Sequence, residues 1–218
     1  LKRMSVIVPF YNEDPKLLER TIRGILDAHG EKEVIVVDDG SPDRTAMDNA
    51  MRIFGSDERV KLIRYEDNRG KRKAQAEGFK LVTGEYIVTI DSDTIIDPDA
   101  LVTIVQPLED DEHIGATTGN VRVLNQQENF LTKMIAARYW NAFNVERKSL
   151  SSAGIVTCCS GVLSAYRTEL FGRFLRRYTH QRFLGVECTY GDDRHLTNLV
   201  LREGHKVALL SFGARLGE

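Results

Sequence analysis

The amino-acid sequence predicts an α/β fold with a mostly parallel central sheet flanked by helices. Short runs of β-branched residues alternate with segments of helical periodicity, a pattern typical of βαβ units. Three of the early runs end in clusters of polar residues, as expected where parallel strands present binding groups at their carboxyl ends. The 218 residues suffice for one complete hydrophobic core, and the sequence contains no internal repeat or linker. A single domain over residues 1–218 is therefore predicted.

Four strands are predicted in the first part of the chain from runs of β-branched and aromatic residues. They cover residues 4–10, 33–39, 60–66 and 85–91. The first helix is predicted to begin at Pro15 with Asp14 as its N-cap, because proline is favoured at the first helical position. The helix after the first strand is predicted at 15–30, and the helix after the second strand is predicted to end at about residue 54. The helix after the third strand is predicted at 71–82.

The second part of the chain is less regular. The predicted elements are a helix at 98–110, a strand within 115–124, a long amphipathic helix at 130–150, a strand within 155–167, helices from about 168 and at 192–203, and a final strand within 206–212. Asp97 precedes Pro98 and is predicted to cap the first of these helices. We expect residues 1–95 to bind a nucleotide and residues 96–218 to bind an acceptor.

The composition is that of an ordinary globular protein, with 42% hydrophobic and 28% charged residues. A net charge of -2 gives no general reason to expect a nucleic acid as partner. The three cysteines, Cys158, Cys159 and Cys188, are too few for a disulfide framework or a closed zinc site, which favours a reducing compartment. No apolar run approaches the roughly 18 to 20 residues that span a membrane. Because the first strand starts within a few residues of the beginning, we expect a domain of a longer protein.

The segment DSDT, residues 91–94, follows the fourth predicted strand. Residues i and i+2 of a strand point to the same side, so Asp91 and Asp93 are expected to face one small space. Two close carboxylates repel each other unless a cation or a proton lies between them. Mg²⁺ typically takes one or two carboxylates, with water and substrate phosphates as the other ligands. The pattern therefore predicts a divalent metal shared with a phosphorylated substrate. The competing interpretation is that one aspartate only caps a helix.

The segment VDDGS, residues 37–41, places a carboxylate and a turn glycine after the second strand. The sequence has neither a dinucleotide-binding Gly-x-Gly-x-x-Gly nor a P-loop pattern, so another mode of nucleotide binding is required. Asp39 is a candidate acceptor for the imide proton of a uracil, and Tyr11 is a candidate for stacking on its ring. Asn, Asp, Gly and Ser are also common turn residues. Three such clusters at three strand ends favour the functional interpretation.

Two further clusters are candidates for chemistry. NRGKRK, residues 68–73, has four cations within six residues at the start of a helix, and Lys71 or Arg72 can reach a pyrophosphate. A solvated helix face is the alternative, and nucleic-acid binding is a distant one because aromatic residues are not interleaved. In TYGDDRHLTN, residues 189–198, one aspartate is a candidate general base. His195 is the competing candidate. The alternative is that these residues only cap the helix.

The ordered set VPFYNE, VDDGS, RGKR, DSD and GDDR resembles the processive family 2 glycosyltransferases. The resemblance is strongest to the hyaluronan synthases and their chitin and chitooligosaccharide synthase relatives, notably in CCSGVLSAYR (158–167) and in 180–198. It covers essentially the whole chain. It implies a GT-A type fold, in which a Rossmann-like nucleotide-sugar half merges with an acceptor half. It also implies an inverting β-glycosyltransferase that uses a UDP-sugar and Mg²⁺ or Mn²⁺ to extend a polysaccharide.

The resemblance implies a role for each matching residue. Asp193 corresponds to the catalytic base; with an ordinary pKa of about 3.9 it would already be ionised at neutral pH. The metal site would be formed by Asp91 and Asp93. The nucleotide-sugar would contact Pro9, Tyr11, Glu13, Asp39, Lys71, Arg72, Asp91, Ser92 and Asp93. The acceptor sugar would contact Cys159, Ser160, Gly161, Asp192 and Arg194.

The chain departs from the family pattern at three points. The Gln-x-x-Arg-Trp segment that follows the GDD helix is absent, flanking membrane helices are absent, and Val162 replaces the usual proline. The resemblance implies that the full protein is membrane-embedded through missing segments, with this domain on the cytoplasmic face. The alternatives are a chitin-type N-acetylglucosaminyltransferase, another polysaccharide synthase, and a nucleotide-sugar-binding module without turnover.

Overall fold

Two β-sheets lie within residues 2–210, the part of the chain that the computed structural model describes. The strands in that range are β1 (Met4–Phe10), β2 (Lys32–Asp38), β3 (Val60–Arg64), β4 (Tyr86–Ile90), β5 (Ile114–Thr118), β6 (Leu163–Arg167), β7 (Arg182–Phe183), β8 (Val186–Glu187) and β9 (Lys206–Leu209). Seven of them form the central sheet in the order β3-β2-β1-β4-β6-β5-β9, and β7 and β8 form a separate hairpin. The first four strands are mutually parallel, whereas β6 is antiparallel to both of its neighbours.

Helices cover both faces of this sheet. Their bounds are α1 (Pro15–Asp27), α2 (Thr45–Phe54), α3 (Lys71–Lys80), α4 (Ala100–Asp110), α5 (Phe130–Asn141), α6 (Lys148–Ser152), α7 (Thr168–Thr179) and α8 (Asp192–Arg202). A π-helical segment, Ala142–Arg147, joins α5 to α6. The strands β1, β2 and β4 are buried along their whole length, which explains why β1 and β2 contain the continuous apolar runs 6–10 and 34–37 rather than an alternating pattern.

Close packing of α3 against β1 depends on Gly78. A Cβ atom at this position would lie 2.7 Å from Cγ2 of Ile7, so any other residue would require Ile7 or α3 to shift. The glycine therefore lets α3 approach the centre of the sheet. This approach also fixes where the first turn of α3 lies relative to the strand ends.

Most predicted elements are found within a few residues of their expected bounds, and the N-cap role of Asp14 is confirmed by hydrogen bonds from Lys16 N and Leu17 N. The capping role of Asp97 is wrong: α4 begins later, at Ala100, and Asp97 contributes only its carbonyl, which accepts from Ala100 N at 2.9 Å. The strand expected within 115–124 ends at Thr118. The strand expected within 206–212 ends at Leu209, and residues 211–212 lie outside the described residues.

The long helix expected at 130–150 is present, but its apolar residues do not pack into the core. Of its side chains only Thr132 and Phe143 are buried, whereas Phe130 and Trp140 are 78% and 63% exposed. Its amphipathic pattern therefore marks a solvent-facing apolar surface. Within residues 2–210, none of the helices combines the length and the apolar character that crossing a bilayer requires.

Candidate active site

Strand topology brings the predicted polar clusters to one edge of the central sheet. The adjacent parallel strands β2, β1 and β4 all end at this edge, so the residues that follow them meet there. Since β6 is antiparallel and Leu163 pairs with Ile90, the segment that precedes β6 reaches the same edge. The edge therefore collects residues from both halves of the chain.

A pocket of about 390 Å³ lies at this edge. Its lining consists of Pro9, Phe10, Tyr11, Glu13, Asp39, Asn68, Gly70, Lys71, Asp91, Ser92 and Asp93. Eight of the nine residues predicted to contact the nucleotide-sugar are in this set, and Arg72 is the exception. Sequence reasoning missed Phe10, Asn68 and Gly70, because an apolar residue at a strand end and common turn residues carry no distinctive chemical signal.

Asp39 holds the loop that closes one side of the pocket. Its two carboxylate oxygens accept hydrogen bonds from Arg69 N at 2.8 Å and Gly70 N at 2.7 Å. Burial raises the pKa of Asp39, and the two N–H groups offset only part of that effect. Across the pocket, the Tyr11 ring is half-exposed and free to stack on a planar ligand.

The adjacent Asp38 has a structural role. Its Oδ1 accepts from both the backbone N–H and the hydroxyl of Ser41, and its Oδ2 lies 3.0 Å from Nε of Arg64. The Ser41 hydroxyl in turn accepts from Asn12 N at 2.8 Å, which connects the loops after β1 and β2. Of the two consecutive acids, only Asp39 lines the pocket.

Acidic groups crowd the other side of the pocket. Asp91 Oδ1 accepts from Nζ of Lys71 at 2.6 Å, and Glu13 accepts from the Ser92 hydroxyl at 2.6 Å. Burial together with repulsion from Asp91 and Glu13 raises the pKa of Asp93. The Asp93 carboxylate makes no ion pair within residues 2–210. Asp91 and Asp93 thus present the negative charge that the sequence predicted, with one nearby cation to balance it.

These carboxylates fit a divalent metal that is shared with a ligand. Across residues 2–210 no group of three or more His, Cys, Asp and Glu side chains could enclose a metal without other ligands. Mg²⁺ and Mn²⁺ prefer oxygen ligands and are commonly held by one or two carboxylates plus phosphate oxygens and water. Burial and then repulsion from Asp91 raise the pKa of Asp93, and such a cation would relieve this repulsion.

Asp193 lies beside Lys71, where the two halves of the chain meet. The residue is in the first turn of α8, after Gly191 in a left-handed conformation with φ of 72°. Its Oδ2 accepts from Gly161 N at 2.8 Å. A Cβ atom on Gly161 would lie 2.9 Å from both Asp193 Oδ2 and Lys71 Nζ. Any other residue at position 161 would therefore displace this carboxylate and this ammonium group.

The environment of Asp193 makes it a stronger base than an ordinary aspartate. Burial raises its pKa to about 6. Attraction to Lys71 opposes this rise, and repulsion from Asp192 and Asp91 adds to it. The sequence alone implied an ordinary acid, so the structure changes this expectation. For Lys71, burial lowers the pKa but attraction to Asp91 and Asp193 more than compensates, and the net shift is upward. The ammonium group stays charged between the two acids.

Arg72 points away from the pocket. Its buried guanidinium donates through Nη1 to Tyr178 O at 3.0 Å and to Gln181 Oε1 at 2.7 Å, and through Nη2 to Tyr190 O at 3.2 Å. It therefore connects α3 to the end of α7 and to the loop that leads into α8. Of the two residues considered for a pyrophosphate contact, Lys71 lines the pocket and Arg72 does not.

His195 is held by the same guanidinium and is poorly suited to be a base. Its Nδ1 lies 2.7 Å from Nη1 of Arg72, which can only donate, so Nδ1 accepts. Burial and the adjacent Arg72 lower the pKa of His195 to about 4. At neutral pH the ring is neutral and its acceptor nitrogen is occupied.

The five residues predicted to contact the acceptor lie near Asp193, but they do not all face outward. Cys159 is fully buried, and burial raises the pKa of its thiol to about 12. Ser160 and Gly161 lie at the edge of the sheet, and Asp192 and Arg194 lie in the first turn of α8. Arg194 is exposed, and Asp192 Oδ2 is a buried oxygen without a hydrogen-bond partner in the described part of the chain.

A second cavity of about 360 Å³ adjoins Asp93 on its other side. Val162, Tyr139 and Arg122 are among the residues that line it. Val162, which departs from the family pattern, therefore lies in the wall of this cavity. Sequence reasoning missed Tyr139 and Arg122, because the loop and helix that carry them are distant in sequence from every recognised motif.

Comparison with known proteins places the chain among glycosyltransferases. The family model described as "Glycosyl transferase family 2" matches residues 5–175. The chain is 36% identical over 206 residues to an N-acetylglucosaminyltransferase of Azorhizobium caulinodans, covering 94% of the chain and 52% of that relative. It is 37% identical over 210 residues to a hyaluronan synthase of Streptococcus pyogenes, covering 94% and 50%. The chain thus spans about half the length of the curated relatives it matches.

Two solved structures share the fold. Mannosyltransferase PcManGT from Pyrobaculum calidifontis, in complex with GDP-Man and Mn²⁺, superposes with a TM-score of 0.72 at 25% identity, covering 98% of the chain and 58% of its own. TarS 1–349 from S. aureus, in complex with UDP-GlcNAc, has a TM-score of 0.72 at 21% identity, covering 99% and 58%. Both likenesses extend over nearly the whole chain, which includes the edge that forms the pocket.

Proposed function

Because this chain belongs to glycosyl transferase family 2 and has the predicted GT-A type fold, we propose that it transfers a sugar from a UDP-sugar to a growing polysaccharide with inversion. The observation that carries the proposal is the convergence at one edge of Asp39, Asp93 and Asp193 from three separate segments. Lys71 lies there between Asp91 and Asp193. Unpaired acids are expensive to hold together unless a ligand uses them. The single-domain organisation and the two halves remain predictions.

The donor would occupy the 390 Å³ pocket. Asp39 still has acceptor capacity for the imide N–H of a uracil after its two backbone contacts, since each carboxylate oxygen has two lone pairs. Tyr11 would stack on the base. Asp91 and Asp93 would hold Mg²⁺ or Mn²⁺. When bound, this ion would neutralise the negative charge of the diphosphate. Lys71, whose pKa is raised, would stabilise the phosphate charge that develops as UDP leaves.

Asp193 would accept the proton of the acceptor hydroxyl. The hydroxyl oxygen forms a bond to the anomeric carbon while the bond from that carbon to the UDP oxygen breaks, and UDP leaves with the electron pair. Attack from the face opposite the leaving group gives a β linkage from an α-linked donor. A pKa of about 6 is close to the operating pH, and general-base catalysis is most efficient when these two values are close. Gly161 N–H holds the carboxylate in place.

The donor sugar has two candidates of equal standing. Relatives named N-acetylglucosaminyltransferase and hyaluronan synthase match the chain with 36% and 37% identity. The first candidate is transfer of N-acetylglucosamine alone, and the second is alternating transfer of N-acetylglucosamine and glucuronic acid. Product analysis with UDP-GlcNAc alone and with UDP-GlcNAc plus UDP-GlcUA separates them. A membrane location of the full protein, on the cytoplasmic face, is part of this proposal.

Calorimetry tests donor binding directly. UDP is titrated into the chain with and without Mn²⁺, and binding is expected to depend on the metal. Asp93→Ala should weaken metal-dependent binding by at least about tenfold, because it removes a metal ligand. Asp110→Ala, which removes an exposed carboxylate at the end of α4, is the matched control. Equal binding by the two variants, or the absence of UDP binding by folded protein, would refute the proposal. A chain that binds UDP but supports no transfer in the full-length protein would instead be a binding module.

A further inference from the structure

A basic cleft lies between α3 and the C-terminal end of α7. It has a volume of about 550 Å³ and shares no lining residue with the donor pocket. We call it the α3–α7 cleft. The residues that line it are Tyr65, Arg69, Lys73, Ala76, Glu77, Lys80, Leu175, Arg176, Thr179, His180, Arg182 and Glu187. None of the roles proposed above involves this surface.

The charge of this cleft is opposite to that of the chain. Five of its lining residues are Arg or Lys and two are Glu, an excess of three positive charges even with His180 neutral. The chain as a whole has a net charge of -2. A concave surface concentrates this potential more than a convex helix face does. Long-range attraction therefore favours an anion in this cleft.

The lysines and the arginines of the cleft differ in their pairing. Lys73 Nζ lies 2.9 Å from Glu187, and Lys80 Nζ lies 2.8 Å from Glu77, so both carboxylates of the cleft are already paired. The three arginines of the cleft, Arg69, Arg176 and Arg182, make no ion pair within residues 2–210. The groups left over are thus the ones whose planar forks match the oxygens of a phosphate.

The three arginines come from separate segments, which argues against a simple solvated face. Arg69 precedes α3, Arg176 lies in α7, and Arg182 begins the β7–β8 hairpin. The guanidinium of Arg69 is oriented by the Tyr65 ring, 4.3 Å from its centroid. The Tyr65 hydroxyl is itself anchored by a 3.2 Å hydrogen bond to Glu77. Repulsion between like charges from three segments is relieved when an anion lies among them.

We propose that the α3–α7 cleft binds a ligand with two or more phosphate groups. Three unpaired forks around one cavity can engage several oxygens at once, whereas a single carboxylate satisfies only one fork. The phosphates can belong to a free polyphosphate or to a phosphorylated lipid headgroup. Since the cleft is separate from the donor pocket, this inference does not depend on the proposed transfer reaction.

Calorimetry with inorganic tripolyphosphate, in EDTA to prevent metal-dependent binding at the donor pocket, tests the inference. Wild-type protein should bind, and Arg176→Gln/Arg182→Gln should bind at least about tenfold more weakly because two charged contacts are lost. Lys71→Gln should bind like wild type. The charge-matched control, Arg20→Gln/Arg173→Gln, changes two exposed arginines outside the cleft. Thermal unfolding verifies that each variant is folded.

A second arm identifies the source of the phosphate. Sedimentation uses phosphatidylcholine vesicles that contain either phosphatidylinositol 4,5-bisphosphate or, at matched total charge, phosphatidylserine. Preference for the bisphosphate lipid that depends on Arg176 and Arg182 identifies a lipid headgroup, and binding of tripolyphosphate alone identifies a free ligand. The proposal is overturned if neither probe binds. It is also overturned if Lys71→Gln weakens the binding of tripolyphosphate. Equal binding of tripolyphosphate by the cleft variant and the charge-matched control would overturn it too.

Discussion

Asparagine in place of Asp193 is expected to stabilise the domain while it abolishes transfer. In the folded chain the pKa of Asp193 rises from its ordinary value of 3.8 to about 6, mainly through burial and then through Asp192 and Asp91. Each pKa unit corresponds to about 1.4 kcal/mol, so the ionised side chain costs the folded state up to about 3 kcal/mol at pH 7. Asparagine keeps the oxygen that accepts from Gly161 N and removes the charge.

The sign of the pH dependence follows from the direction of this shift. Because the folded pKa lies above the unfolded value, the folded state binds the proton more tightly. The penalty is complete above pH 6 and disappears as the pH falls toward 4. Urea denaturation at pH 7 should therefore give Asp193→Asn a free energy of unfolding about 1 to 3 kcal/mol above wild type. At pH 4.5 most of this difference should be absent.

The control for this measurement is Asp110→Asn, which neutralises an exposed carboxylate and should change stability by less than about 0.5 kcal/mol. A difference at pH 7 that is zero or negative would contradict the environment assigned to Asp193. So would a positive difference that persists unchanged at pH 4.5. Full transfer activity of Asp193→Asn in the full-length protein would remove it as the base.

Three further predictions concern the same site. The kcat/KM of transfer should fall roughly tenfold per pH unit below about pH 6, as Asp193 is protonated, and a profile flat to pH 5 would contradict this. Gly161→Ala should lower kcat by about 100-fold through displacement of Asp193 and Lys71, whereas Gly172→Ala, at a position with open space, should not. Arg72→Lys should lower kcat about tenfold, because lysine cannot hold the Tyr190 loop with a planar fork, and it should leave the Kd for UDP unchanged. A tenfold weaker binding of UDP would instead place Arg72 at the donor.

The centre of the sheet could be predicted from sequence because β1, β2 and β4 are buried along their whole length. Buried parallel strands contain apolar runs, and the turn residues that follow them are distinct. The β7–β8 hairpin could not be predicted. Its strands contain two residues each, and the turn between them depends on positive φ at Leu184 and Gly185 rather than on an alternating pattern.

The donor side of the site was more predictable than the base. Residues after adjacent parallel strands must share an edge, so motif order alone brings together Tyr11, Asp39 and Asp93. The raised pKa of Asp193 instead depends on burial, on Asp91 and on the loop with Gly161, which are far apart in sequence. Burial of a charged group is a property of the packed fold, so residue type alone suggested an ordinary acid.

The helical geometry of the first turn of α3 explains why its three consecutive basic residues make different contacts. Successive residues of an α-helix point about 100° apart, so three consecutive side chains face three directions. Lys71 faces Asp91 in the donor pocket, Arg72 is buried against the loop that leads to Asp193, and Lys73 faces Glu187 in the α3–α7 cleft. A shift of α3 would therefore move the donor contact, the loop that carries the base and the cleft together. Since Gly78 holds α3 close against Ile7, the packing of this one helix fixes the relative positions of all three.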